Sequence, residues 1–317
     1  MKKLLLSAFV ICLAGTSIAQ ESPLWMRHCA LSPDGTTIAF TYKGDIYTVP
    51  STGGRATQIT TNPAFDTEPV WSPDSKQIAF ASDRMGSLDV FVVSSEGGAP
   101  QRLTTHSGSE KPVAYKDNKH ILFTANIAPS AEDAGFPSGQ FQQVYEVAVT
   151  GGRPAMFSSM PMECISINKE GVMLYQDKKG YEDYWRKHQV SPIARDIWTY
   201  TPGKKPVYQK QTTFGGEDRE PVWSPDGKSF YYLSEEKGSF NIFQRTPGTT
   251  TSQQITFHTK HPVRFLSIST TGTLCYGYDG EIYTLVPGKQ PQKVNISILA
   301  DKNDKDIIRQ IKSNGAT

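Results

Sequence analysis

The sequence predicts an all-β fold, a six-bladed β-propeller of four-stranded antiparallel blades. A turn motif returns six times, each copy is followed by the same order of strand-like runs, and helix-periodic stretches are nearly absent. The motif is clearest in Leu31-Ser32-Pro33-Asp34-Gly35, Trp71-Ser72-Pro73-Asp74-Ser75 and Trp223-Ser224-Pro225-Asp226-Gly227. Weaker copies are Ala114-Tyr115-Lys116-Asp117-Asn118, Ile167-Asn168-Lys169-Glu170-Gly171 and Ile268-Ser269-Thr270-Thr271-Gly272. Pro, Asp and Gly supply the backbone angles that a tight turn requires.

After each turn comes an apolar run such as Ile78-Ala79-Phe80, then an acid-led run (Asp45-Ile46-Tyr47, Asp89-Val90-Phe91, Asp196-Ile197-Trp198, Glu281-Ile282-Tyr283). A Gly-Gly turn and a short strand ending in Thr close several repeats. One four-stranded sheet buries too little apolar surface to stand alone, so the units must stack radially. Trp71 and Trp223 sit where a large ring would wedge between neighbouring blades. The blades are expected at about 23–61, 62–105, 106–159, 160–213, 214–257 and 258–297, within a propeller spanning 20–297. Each repeat starts with its inner strand and ends with its outer one. The ring is therefore expected to close without a shared strand, by side-chain packing alone.

Residues 1–19 read as a signal peptide of the kind bacteria use: Lys2 and Lys3, the apolar run Leu4 to Leu13, then Ser17-Ile18-Ala19 before Gln20. The apolar run is too short to span a bilayer. Ile11 before Cys12 is too bulky for lipid attachment. The expected location is exported, periplasmic or secreted, with no membrane association after cleavage. With 33 basic and 31 acidic residues the formal charge is +2, and losing the two leader lysines brings it near zero, which argues against nucleic acid as a partner. Cys29, Cys164 and Cys275 remain, each in an apolar strand-like run, and read as small buried side chains.

The motif spacing is 40, 43, 53, 56 and 45 residues, and the excess falls between the second and third strands of two consecutive repeats. These inserts, Ala125 to Phe141 and Asp177 to Ala194, must emerge on one face, which also carries Glu68, Glu110 and Glu220 at the starts of inner strands. The second insert packs Tyr181, Tyr184, Trp185, Arg186, Lys187 and His188 together. Aromatics beside Arg have the composition of binding hot spots. Tyr184 to His188 are the candidate binding residues for a peptide or protein partner, against the alternative that they pin a long loop to the blade.

No catalytic motif occurs: there is no G-x-S-x-G, H-E-x-x-H or G-x-G-x-x-G. Gly227-Lys228-Ser229 mimics the end of a phosphate loop, but Val222 stands where the first glycine belongs. His258 and His261 lack a third metal ligand nearby. Asp45, Asp89 and Asp196 suit carboxylates that bond local backbone N–H groups better than a calcium set. Asn295-Ile296-Ser297 is a sequon by pattern only. No catalytic residue, metal site or cofactor is expected.

The Ser-Pro-Asp-Gly and Asp-Ile-Tyr grammar resembles the PD40 (WD40-like) repeats of TolB proteins and tricorn-type proteases. The run from Met162 to Trp198, MECISINKEGVMLYQDKKGYEDYWRKHQVSPIARDIW, is similar to the first, six-bladed propeller of tricorn protease homologues in the S41 serine peptidase group. The resemblance covers essentially the whole chain after the leader. It implies a non-catalytic module that gates or guides peptides. It also implies a downstream seven-bladed propeller, a PDZ domain and peptidase domains, with 298–317 as the linker and the chain as a fragment. A stand-alone TolB-like periplasmic binding propeller is the alternative, although TolB proteins carry an α/β domain ahead of their blades. An independent propeller hydrolase is a third reading.

Overall fold

The computed structural model describes residues 23–127, 141–180 and 190–299, and there each repeat forms one four-stranded antiparallel sheet. From the channel outward, blade 1 runs Arg27–Leu31, Thr37–Tyr42, Asp45–Pro50, Thr57–Gln58. Blade 2 runs Asp66–Trp71, Gln77–Ser82, Asp89–Ser94, Gln101–Arg102, and blade 3 Glu110–Asp117, His120–Ala125, Gln143–Ala148, Ala155–Ser158. Blade 4 follows with Met162–Ile167, Met173–Asp177, Ile197–Thr201, Val207–Lys210. Blade 5 is Asp218–Trp223, Phe230–Ser234, Asn241–Arg245, Ser252–Gln254, and blade 6 Arg264–Ile268, Leu274–Tyr278, Glu281–Leu285, Gln292–Lys293. No α-helix occurs among the described residues.

The core is divided among the six joints between blades. One apolar cluster fills each, from Ile46, Ile59, Ile78 and Phe80 between blades 1 and 2 round to Phe40, Val49, Cys275 and Ile282 between 1 and 6. Burying these faces is what makes the blades cohere. Trp71 and Trp223 wedge as expected, and each indole N–H donates to the preceding blade, to the Ala30 carbonyl at 2.8 Å and the Val172 carbonyl at 3.1 Å. In blade 3 the wedge position belongs to Tyr115, not Ala114. Tyr115 pairs with Ile121 as Trp71 pairs with Ile78, one residue later than the motif alignment places it.

The turn chemistry follows from the motif. Ser32 Oγ donates to Asp34 Oδ1 and accepts from Thr37 N, while Thr36 N donates to the same Asp34 oxygen. The bonds recur at Ser72–Asp74 and Ser224–Asp226, and the Ser donor is the main reason these carboxyls sit below their ordinary range.

Ring closure differs from expectation. No blade borrows a strand, yet side-chain packing does not act alone. Ile296–Ser297 pairs in parallel with Gly54–Arg55, giving Gly54 N to Asn295 O and Ala56 N to Ser297 O, both 2.8 Å. Met26 N to Gly280 O and Thr270 N to Pro33 O add two more main-chain bonds. The seam was missed because two-residue strands leave no periodic signal. The Asn295-Ile296-Ser297 sequon is part of this seam.

Candidate functional site

The inner strands surround a central cavity of about 940 Å³ to which all six blades contribute. Five of those strands carry a bulge at one equivalent place, two residues facing one across the ladder. At each bulge a non-glycine residue takes a left-handed backbone: His28 (φ 50°), Glu68 (55°), Cys164 (51°), Glu220 (50°) and Phe265 (60°). Such a backbone costs an L-residue about 1–2 kcal/mol. Bulges re-aim side chains, and these five line the channel. Blade 3 has Pro112 at the matching register, and a proline ring locks φ near about −65°. Blade 3 accordingly bulges at Val113 with no left-handed residue.

Several charged side chains of the channel pair with one another. Lys111 Nζ donates to Glu68 Oε1 at 2.6 Å. Glu163 meets Lys178 at 3.2 Å and Arg195 at 3.3 Å, and accepts from Gln176 Nε2 at 3.0 Å. Burial alone would raise the Glu163 carboxyl, but Arg195 and Lys178 hold it below its ordinary range. Arg195 reaches Glu217 at 3.5 Å, which also takes Arg219 Nε at 2.8 Å. Gln176 Oε1 accepts from Glu220 N at 2.9 Å, and Glu220 Oε2 accepts from Leu266 N at 2.8 Å, linking blades 4, 5 and 6. His28 packs edge-on to Phe265 (centroids 4.7 Å) and bonds Thr67 Oγ1 at 2.9 Å. Burial pushes its ring down to about 4, so it is neutral near pH 7 and a weak base. Burial likewise raises the Cys164 thiol, which weakens it as a nucleophile. The channel offers paired charges and hydrogen-bonding groups around apolar walls.

Tyr184, Trp185, Arg186, Lys187 and His188 lie outside the described residues, as do residues 1–19, expected as a signal peptide, and 300–317 of the expected 298–317 linker. The roots of the insert are described: Lys179 bonds the Ala194 carbonyl at 2.5 Å and pairs with Asp196, and Lys210 meets Asp196 at 2.8 Å. Both inserts leave from second-to-third strand connections, on the face where the inner strands begin. The strand-leading acids find side-chain partners rather than the backbone N–H groups expected. Asp45 takes Gln58 Nε2 and Thr60 Oγ1, and Asp89 takes Arg102 at 2.9 Å. His258 stacks on Tyr278 (3.9 Å) and bonds Tyr276 Oη at 3.0 Å, while His261 approaches Asp279 at 3.4 Å. The amides of Gly227 and Lys228 are consumed by their own turn, on Ser224 O and Asp226 Oδ1.

Sequence reasoning placed Glu68 and Glu220 at the starts of inner strands but missed the channel set of His28, Glu163, Cys164, Lys178, Arg195 and Phe265. The signal that marks Glu68 and Glu220 as equivalent is the seven-residue string Glu-Pro-Val-Trp-Ser-Pro-Asp at both 68–74 and 220–226, and no such repeat marks the others.

Fold and channel together define a β-propeller module whose central passage is the candidate site. The chain belongs to the tricorn protease N-terminal β-propeller domain family, whose model matches residues 23–291. It is 24% identical over 275 residues to tricorn protease homolog 1 of Streptomyces coelicolor, covering 84% of this chain and 24% of that protein's length. An uncharacterized protein of Agrobacterium fabrum is 34% identical over 218 residues, 64% of this chain and 68% of the relative. The crystal structure of the tricorn protease shares the fold, with a TM-score of 0.73 at 18% identity over 88% of this chain and 27% of that one. TolB from Acinetobacter baumannii also shares it, with a TM-score of 0.54 at 14% identity over 86% of this chain and 66% of that one.

Proposed function

We propose that this chain is the non-catalytic, peptide-guiding propeller of an exported tricorn-like serine peptidase, whose chemistry resides in domains beyond it. The observation that carries this reading is the channel ring, in which five bulged inner strands hold left-handed residues around a passage lined by internal ion pairs. Family membership supports it, as does the span of only 24% of the Streptomyces relative's length. Peptide backbone meets acceptors and donors along the wall, and side chains of either sign meet a partner, so guidance tolerates many sequences. Export rests on Lys2-Lys3, Leu4 to Leu13 and Ser17-Ile18-Ala19, and the mature chain then begins at Gln20.

Fluorescence anisotropy with labelled peptides, alongside a peptidase assay, tests the reading. The chain should bind unfolded peptides weakly and cleave none. Lys111→Glu sets a second acid beside Glu68 and should lower affinity for acidic peptides by about tenfold, the scale of one charged contact. Turnover by this chain would overturn the reading. So would peptide affinity indifferent to Lys111→Glu, and binding only to a folded protein would favour the TolB-like alternative.

A further inference from the structure

Cys29 and Cys275 meet at the seam. Cys29 lies on the inner strand of blade 1 and Cys275 on the second strand of blade 6, with nearly the whole ring of chain between them. Both are buried, 4% and 0% exposed, in one apolar cluster with Met26, Leu31, Phe40 and Ile282. Cys29 Sγ donates to the Phe265 carbonyl at 3.4 Å, on the blade 6 inner strand that pairs with the strand of Cys275. The strands that carry them are fixed in register. Leu31 N donates to Ser267 Oγ at 3.0 Å, and Ser267 pairs with Cys275 in the blade 6 ladder.

We propose that Cys29 and Cys275 form a disulfide that closes the propeller ring covalently, leaving Cys164 as a thiol. Five joints between blades are crossed by the continuous chain; the sixth is held by its apolar cluster, the two-residue parallel pair and a few hydrogen bonds. It is the joint whose apolar cluster holds two cysteines. Cys164 belongs to the inner strand of blade 4, on the far side of the ring.

The oxidant required is a disulfide, either of a dithiol–disulfide exchange protein or of a small thiol. One seam thiolate attacks it, forming a mixed disulfide and expelling one thiolate of the oxidant. The second seam thiolate attacks the first cysteine's sulfur, forming the Cys29–Cys275 bond and expelling the other. Two electrons pass to the oxidant, and the two thiol protons go to solvent or to the expelled thiolates. In the closed ring, burial pushes the Cys29 thiol well up, so little thiolate is present there. The bond therefore forms while the seam is open, as blade 6 docks on blade 1. Once buried it is shielded from reductant.

The test is refolding of the chain in a mixture of reduced and oxidised glutathione, then alkylation, digestion at low pH and mass spectrometry without reductant. The expected result is one linked pair joining the Cys29 and Cys275 peptides, with Cys164 alkylated. On a non-reducing gel the wild-type chain should migrate faster than its reduced form. Cys164→Ser should keep that shift, whereas Cys29→Ser and Cys275→Ser should lose it. The oxidised chain should unfold roughly tenfold more slowly than the reduced one. Peptide mapping needs no variant, so misfolding of a serine variant does not blunt the test. Quantitative alkylation of Cys29 and Cys275, or a linkage through Cys12 or Cys164, would overturn the proposal.

Discussion

At the scale of single residues, the chain spends stability where its inner strands begin. Asp66 and Asp218 hold equivalent places, both wholly buried, but Asp66 has Arg84 at 2.9 Å, and in the corresponding hairpin Glu236 stands at the position of Arg84. Burial pushes Asp218 up to about 7, with Asp196 and Glu236 adding to the rise. An acid raised in the folded state contributes stability that is present below its unfolded pKa of about 4 and lost as pH climbs through about 7. Urea unfolding of the wild type should therefore show a decline between pH 4 and 7 that Asp218→Asn removes. The variant should be about 1–3 kcal/mol more stable than wild type at pH 8. A slope unchanged by Asp218→Asn would place the titration elsewhere. The sequence distinguishes Asp218 from Asp66 only through the following hairpin, and that signal is readable only once the hairpin is known to fold back over the acid.

Within a blade, the repeated Thr that ends the outer strand has a defined task. Thr60, Thr104, Thr212 and Thr256 each accept from a third-strand amide, those of Ile46, Val90, Ile197 and Ile242, at 2.9–3.0 Å. Thr60 and Thr256 also donate to the residue that leads that strand, Asp45 and Asn241. The acid-led run and the terminal Thr, separate features in the sequence, are two halves of one clasp. Thr104→Val keeps the shape but leaves the Val90 N–H buried without an acceptor, which costs about 1–3 kcal/mol. Thr104→Ser should recover most of that loss in denaturant titrations. Strands, blade count, turns and the tryptophan wedges were legible because each repeats at a fixed place in the motif. The bulges were not, because an extra residue in a ladder shows only once the partner strand is known. His28, Cys164 and Phe265 were not either, since they share with Glu68 and Glu220 a backbone angle and no chemistry.

Across the whole molecule, the ring is only as strong as its seam. Gly53 is held at φ +92°, and a Cβ there would lie 2.7 Å from the Asn295 carbonyl oxygen. Gly97 occupies the same turn of blade 2 at φ +90°, with open space around it. Both Ala variants carry the left-handed penalty of about 1–2 kcal/mol, but Gly53→Ala also pushes the two-residue bridge apart. Hydrogen exchange should quicken at Gly54 and Ala56 in Gly53→Ala and stay slow in Gly97→Ala. Equal protection in both would mean that the bridge adds nothing to closure.

Whether the channel is the passage for peptides is tested most directly by photo-crosslinking. An unfolded peptide carrying a photoreactive side chain is irradiated with the chain, and the adducts are mapped by mass spectrometry. The account predicts adducts on channel peptides containing His28, Glu68, Lys111 and Glu163, drawn from several blades at once and competed away by unlabelled peptide. Adducts confined to the outer strands, such as Val207–Lys210, would contradict it.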